Sequence, residues 1–269
     1  MIATDTLNVT PSGAVIGAEV SGMDLRNPMS PGQREEIHSL LARHKVLVWR
    51  DQHLDAAGQV DFVQSFGPIL EFSSVVDEAP EIPGVHKVKG STVGWHIDAS
   101  AQLEPPVATV LRAVVIPPSG GDTIWASGVA AYESLPDDLK QQLDGIYLTH
   151  GGSRHLQPGS EAALVCHPLV RTHPVTGERL LYLNSASWNL SIAVGVDRSA
   201  SDELVQMLSD LYLRPEHQYR LQWSPGAVCM WDNRAVQHTG VHDYGDAPRH
   251  MERICLARFD PALACPPEH

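Results

Sequence analysis

His96 and Asp98 stand two residues apart in Trp95-His96-Ile97-Asp98, and His238 follows 142 residues later (238 minus 96). On an extended strand, residues i and i+2 face the same way, so His96 and Asp98 can grip one ion from one strand. His238 completes the set only if a distant strand returns to the same point. Two histidines and one carboxylate are the donor set of the facial triad, which suits Fe(II) and leaves adjoining coordination positions open. This long-range closure constrains the fold more than any other feature of the sequence.

The rest of the chain supplies short strands to close it. Lys45-Val46-Leu47-Val48-Trp49 reads as a buried strand. So do residues 109–116, Leu180-Leu181-Tyr182-Leu183 and Gly226-Ala227-Val228-Cys229-Met230-Trp231. Ser30-Pro31 opens a helix, with Ser30 as cap and Ile37, Leu40 and Leu41 at helical spacing. Asp55 caps a second helix running toward Phe66. Two more helices are expected over about 136–143 and 201–213. Many short strands, few crossover helices and widely separated ligands predict a mainly β chain with flanking helices around a double-stranded β-helix (jelly-roll) core. Its 269 residues fit one domain over 1–269. Residues 67–94, broken by Pro80, Pro83, Gly84, Gly90 and Gly94, read as an active-site lid.

Charge and cysteine content exclude several classes. The net charge is −13, from 19 basic and 32 acidic residues, which disfavours nucleic acid and anionic membranes as partners. No run of about 18 apolar residues and no N-terminal signal pattern is present, so a cytoplasmic protein is expected. The four cysteines, Cys166, Cys229, Cys255 and Cys265, have no paired spacing, and a zinc ribbon is not expected. With fourteen histidines, only spacing can promote one. His150, His155, His167, His173 and His242 lack a carboxylate at ligand spacing and read as surface or hydrogen-bonded core residues. His53-Leu54-Asp55 repeats the H-x-D pattern but reads as a loop and helix cap. Trp95, Trp125 and Trp231 read as core. No nucleophile elbow or phosphate-cradling glycine loop appears.

Arg249 and Arg253 give the triad a context. If residues 249–258 form a strand, 249, 251, 253, 255 and 257 share a face, and the two guanidinium groups line one surface. Four residues at about 3.3 Å each set their backbones roughly 13 Å apart, which suits two anions rather than one. A guanidinium holds a carboxylate or sulfonate bidentately, as a lysine cannot.

Together, Trp95-His96-Ile97-Asp98, Gly120-Gly121-Asp122-Thr123, Trp231-Asp232-Asn233-Arg234, His238 and Arg249 resemble the taurine dioxygenase family of Fe(II)/2-oxoglutarate-dependent oxygenases. The resemblance runs from Arg50-Asp51-Gln52 through Phe66-Gly67-Pro68 to Arg258. It implies that His96, Asp98 and His238 are the catalytic iron ligands. Thr123 and Arg249 would bind the distal carboxylate of 2-oxoglutarate, and Arg253 the acidic group of the substrate. It implies Fe(II), 2-oxoglutarate and O2 as cofactor and cosubstrates, a small anionic substrate that is hydroxylated at a C–H bond, succinate and CO2 as products, and the homo-oligomers common in the family. Where taurine-using members carry a histidine and a tyrosine after Phe-Gly-Pro, this chain has Ile69-Leu70-Glu71-Phe72-Ser73-Ser74. Small residues also stand in Asn184-Ser185-Ala186-Ser187. A larger or more apolar substrate than taurine is expected. The competing reading is a non-redox jelly-roll metalloprotein, a zinc hydrolase or a metal-dependent binding module, which needs neither Thr123 nor Arg249.

Overall fold

The structure, a computed structural model, describes residues 7–71, 81–92, 94–152, 165–185 and 189–261. Phe72, Ser73, Ser74, His155, Ala186, Ser187, Cys265 and part of the 67–94 stretch lie outside them. The larger sheet contains β1 (Asn8–Pro11), β2 (Ala18–Ser21), β3 (Val46–Trp49), β4 (His86–Lys89), β5 (Ala108–Val115), β13 (Val228–Asp232) and β15 (His250–Leu256), in the order β1-β2-β3-β13-β5-β15-β4. A three-stranded sheet of β12 (Gln218–Leu221), β6 (Thr123–Ser127) and β14 (Val236–Gly240) belongs to the opposite wall of the roll. A second trio, β11 (Asn189–Ala193), β7 (Tyr147–Gly152) and β8 (Val165–Pro168), and the pair β10 (Arg179–Leu181) and β9 (Val170–Thr172) complete the strands. All pairings are antiparallel except β2 with β3.

Side-chain alternation shows why the central strands are apolar throughout. On β13, Val228 and Met230 join a core cluster with Leu47, Trp49, Ile254 and Leu256, together with Ile37 and Phe62 from the helices. Cys229 and Trp231 face the other way, into a cluster with Val46, Val48, Trp125, Leu221, Val236 and Met251. The larger sheet is therefore covered on both faces, by helices on one side and by the three-stranded sheet on the other. Such strands lose the apolar–polar alternation of a half-solvated sheet.

The helices follow their start signals. α1 (Pro31–His44) is opened by a Ser30–Gln33 capping box, and α2 (Ala56–Gln64) by Asp55, whose carboxylate accepts from the Gly58 amide at 2.7 Å. α4 (Asp137–Leu143) matches its predicted span, whereas α5 (Arg198–Tyr212) begins three residues early, because Asp197 takes the cap. A further helix, α3 (Gly128–Glu133), has no counterpart in the sequence reading; Ser127 ends β6 and caps α3 at once. The expected strand over 249–258 begins at His250, with a register shift between His250 and Met251. Among the described residues, no helix is long and apolar enough to cross a membrane.

Candidate metal centre

The H-x-D segment is not a regular strand. His96 forms a single antiparallel bridge with His238 of β14, the two backbones exchanging hydrogen bonds of 3.0 and 2.9 Å. The chain then turns, with Ala99 at φ 47. Two asparagines replace the missing ladder. Asn184 accepts from the Ile97 amide at 2.7 Å and donates to Ser100 Oγ at 2.6 Å. Asn233 accepts from the Asp98 amide at 3.0 Å and donates to the Asp98 and Pro106 carbonyls at 2.9 and 3.0 Å. His96 and Asp98 thus meet through a bridge and a clamped turn rather than through strand alternation.

The three side chains converge and are buried, their candidate ligand atoms within 4.8 Å of one another. His96 Nε2 to Asp98 Oδ1 and His238 Nε2 to Asp98 Oδ2 are both 3.8 Å. That is too long for hydrogen bonds, so the groups surround a common point without bonding to one another. Gly94 O lies 2.7 Å from His96 Nδ1, so that nitrogen donates and Nε2 presents its lone pair to the centre. The His238 ring is held by Trp231, at 4.7 Å between centroids, and by His96, at 4.2 Å; its Nδ1 is buried with no hydrogen-bond partner among the described residues.

Burial lowers the proton affinity of both imidazoles, that of His238 to about 3, so both rings are neutral near pH 7. Burial alone would raise Asp98, but Arg253, the two histidines and Thr109 outweigh it and hold the carboxyl at about 2. Thr109 on β5 donates to Asp98 Oδ2 at 2.9 Å and Arg253 Nη1 to Oδ1 at 2.7 Å. A carboxylate has about four lone-pair sites, so both donors leave room for an ion. Two neutral imidazoles and one oriented carboxylate suit a divalent metal such as Fe(II).

Arg249 stands before β15, is 6% exposed, and has no carboxylate within ion-pair distance among the described residues. Its Nε donates to Gly121 O at 2.9 Å and its Nη1 to Gly90 O at 2.7 Å. Neutral carbonyls orient the guanidinium but do not neutralise it, and a buried unpaired charge is costly. An anionic ligand would supply the missing countercharge. The Gly120–Gly121 turn is built for close approach: both glycines have positive φ (74 and 73), and a Cβ on Gly121 would lie 3.2 Å from Arg249 Nε. Asp243 fixes the turn by accepting from the Gly121 amide at 2.7 Å. Thr123 opens β6 just beyond it, is 3% exposed, and accepts from the indole of Trp223 at 3.0 Å.

The triad thus converges, Arg253 meets Asp98 directly, and Arg249 meets the Gly120–Gly121 turn that leads into Thr123. The reading from sequence missed Asn184, Asn233, Thr109 and Trp223, which hold the others in place. Asn233 had a visible signal, its place in Trp231-Asp232-Asn233-Arg234; Thr109 had none. Trp125 and Trp231 pack in the core and Cys229 and Cys255 are buried free thiols, as expected. His173 is buried against Asp232, Nε2 to Oδ2 at 2.9 Å, with Arg234 on the same carboxylate.

A jelly roll with a buried two-histidine, one-carboxylate centre defines a class of metal-dependent enzymes. The family model for taurine catabolism dioxygenases, TauD, TfdA family, matches residues 8–255, and the chain belongs to that family. It is 34% identical over 272 residues to the alpha-ketoglutarate-dependent sulfate ester dioxygenase of Pseudomonas putida, covering 93% of this chain and 89% of that protein. The crystal structure of a taurine dioxygenase from Burkholderia xenovorans matches with a TM-score of 0.83 at 34% identity, over 96% of this chain and 98% of that one. The crystal structure of AAD-2 in complex with Mn(II) and N-oxalylglycine matches with a TM-score of 0.83 at 28% identity, over 96% and 99% of the two chains.

Proposed function

We propose that the chain is an Fe(II)- and 2-oxoglutarate-dependent dioxygenase that hydroxylates a C–H bond of a small organic anion, with an alkyl sulfate ester as the first candidate. The observation that carries this reading is the buried, carboxylate-free Arg249 beside a triad of neutral imidazoles and an ionised Asp98. A non-redox metal site has no use for such an arginine. His96, Asp98 and His238 would hold the iron, and Arg249 and Thr123 the distal carboxylate of 2-oxoglutarate.

Iron with 2-oxoglutarate supplies the oxidising power: one atom of O2 goes to succinate as CO2 leaves, and the other becomes the hydroxyl of the product. The protein's own residues fix geometry and exclude water. Gly94 O sets the His96 tautomer, and Thr109 and Arg253 each take one oxygen of Asp98, so the carboxylate cannot rotate. Arg253 would also meet the anionic head of the substrate, which would bring the substrate beside the metal carboxylate. Hydroxylation at the carbon bearing an ester oxygen would give a hemiacetal-like sulfate, which collapses to an aldehyde and hydrogen sulfate. Support for a sulfate ester comes from the Pseudomonas putida relative and from Ile69-Leu70-Glu71, which offers neither the histidine nor the tyrosine of taurine users.

Anaerobic addition of Fe(II) and 2-oxoglutarate should produce a weak visible charge-transfer band. Succinate release across alkyl sulfates, sulfonates and aryloxy acids then identifies the substrate. If no band forms, the protein returns to the non-redox reading. If the band forms but no sulfate ester stimulates succinate release, only the substrate assignment fails.

A further inference from the structure

Trp223 is used by nothing described so far except its bond to Thr123, and that bond has a direction. An indole N–H donates and cannot accept, whereas a threonine hydroxyl carries one hydrogen and two lone pairs. Trp223 Nε1 lies 3.0 Å from Thr123 Oγ1, so the indole occupies a lone pair and the hydroxyl keeps its own hydrogen. No acceptor for that hydrogen lies within hydrogen-bonding distance among the described residues. Both side chains are buried, at 7% and 3% exposure.

The indole is itself held from outside the site. Trp223 follows β12 on a short loop, where Arg50 donates to the Gln222 carbonyl at 2.8 Å and to Ser224 Oγ at 3.3 Å. The Gln52 amide closes the same loop by donating to the Gly226 carbonyl at 2.8 Å. Arg50 and Gln52 directly follow β3, so the larger sheet fixes a donor that acts on the opposite sheet. A hydroxyl that accepts from a fixed donor is also polarised, which strengthens its own donation.

We infer that Trp223 is a positioning residue: it locks the Thr123 side chain and leaves its hydroxyl hydrogen to donate to the distal carboxylate that Arg249 also meets. This rests on the 2-oxoglutarate reading above. Arg249 is donor-only by nature, and the Trp223 bond takes one Thr123 lone pair and leaves its hydrogen to give, which favours an acceptor group at this end of the cavity.

The test measures binding to the Mn(II)-loaded protein by calorimetry, using N-oxalylglycine and N-methyloxamate, which is the same molecule without the distal carboxylate. Trp223→Phe should weaken N-oxalylglycine roughly five- to tenfold, the net effect of one ordinary hydrogen bond, and leave N-methyloxamate and Mn(II) affinity unchanged. Thr123→Val should do the same, and the double variant should be no weaker than Thr123→Val alone. Because Trp223 also packs in the core, the second variant carries benzothienylalanine at position 223, which replaces only the N–H by sulfur. Unchanged N-oxalylglycine binding in that variant, equal losses for both ligands, or additive effects in the double variant would each overturn the inference. A wild-type protein that does not prefer N-oxalylglycine to N-methyloxamate would instead overturn the 2-oxoglutarate reading.

Discussion

Replacing Asn233 with alanine separates the clamp on the H-x-D turn from the ligands themselves. Asn233 is 1% exposed and makes three side-chain hydrogen bonds, from the Asp98 amide and to the Asp98 and Pro106 carbonyls. Each is worth about 1 kcal/mol net, and each stranded backbone group costs about 1–3 kcal/mol if water cannot reach it. The expected loss is therefore about 3 kcal/mol, rising toward about 6 if the cavity stays dry. For a chain of this size, about 3 kcal/mol corresponds to roughly 6–12 °C in melting temperature. The metal should feel it too, because the Asp98 backbone then loses both of its bonds to Asn233. Loss of a supporting group of this kind typically weakens metal binding about 10- to 100-fold. Calorimetric melting of the metal-free protein and a competitive Fe(II) or Mn(II) titration read the two effects separately. Asn233→Asp keeps the acceptor for the Asp98 amide but faces two carbonyls with an oxygen, so it should do no better than alanine. A melting shift under about 2 °C with unchanged metal affinity would falsify the clamp.

Arg249→Gln should weaken 2-oxoglutarate binding at least tenfold while sparing Mn(II), whereas Arg253→Ala should raise the substrate requirement and also weaken Mn(II), because its guanidinium touches Asp98; identical profiles for the two variants would sink that division. Gly121→Ala puts a Cβ 3.2 Å from Arg249 Nε on a backbone at φ 73, so 2-oxoglutarate affinity should fall with metal affinity retained, as measured by the same titrations. Burial works against ionisation of Asp232, but Arg234 and His173 outweigh it and hold the carboxyl well below the usual range. Its stabilising contribution is therefore complete above the unfolded carboxylate value of about 4 and is lost as pH falls below that. The stability gap between wild type and Asp232→Asn, from urea melts, should accordingly narrow below about pH 4; a gap constant from pH 7 to 3 contradicts the assignment.

The sequence made the ligand positions legible because they are chemistry: a donor set, two arginines and a threonine whose types and order carry meaning without coordinates. It also made the doubly covered strands legible, since Val46-Leu47-Val48-Trp49 is apolar on both faces. What stayed hidden is support. Thr109 reads only as one more β-branched residue in a strand, and its bond to Asp98 exists because β5 passes behind the turn. Strand periodicity gave the right pairing of His96 with Asp98 for the wrong reason, since the turn at Ala99 and the two asparagine clamps are tertiary. Arg249 was placed on a strand that begins one residue later, because the shift at His250 and Met251 is set by pairing with β5 rather than by local sequence. α3 escaped notice because six residues are too few to show a period.

The bridge between His96 and His238 has a consequence for how the molecule comes together. An ion held there would act as a fastener across a loop of 142 residues (238 minus 96), joining two segments made far apart in synthesis. Closing a loop of that length carries an entropic cost that grows only slowly with further length, so the fastening tolerates long insertions between the ligands. Binding only the folded form at a hundred times its dissociation constant, such an ion would add about 2.7 kcal/mol to stability. Until residue 238 has been made, the bridge at His96 cannot form. The site is thus completed only after that point, and metal supply would then add to the yield of folded protein.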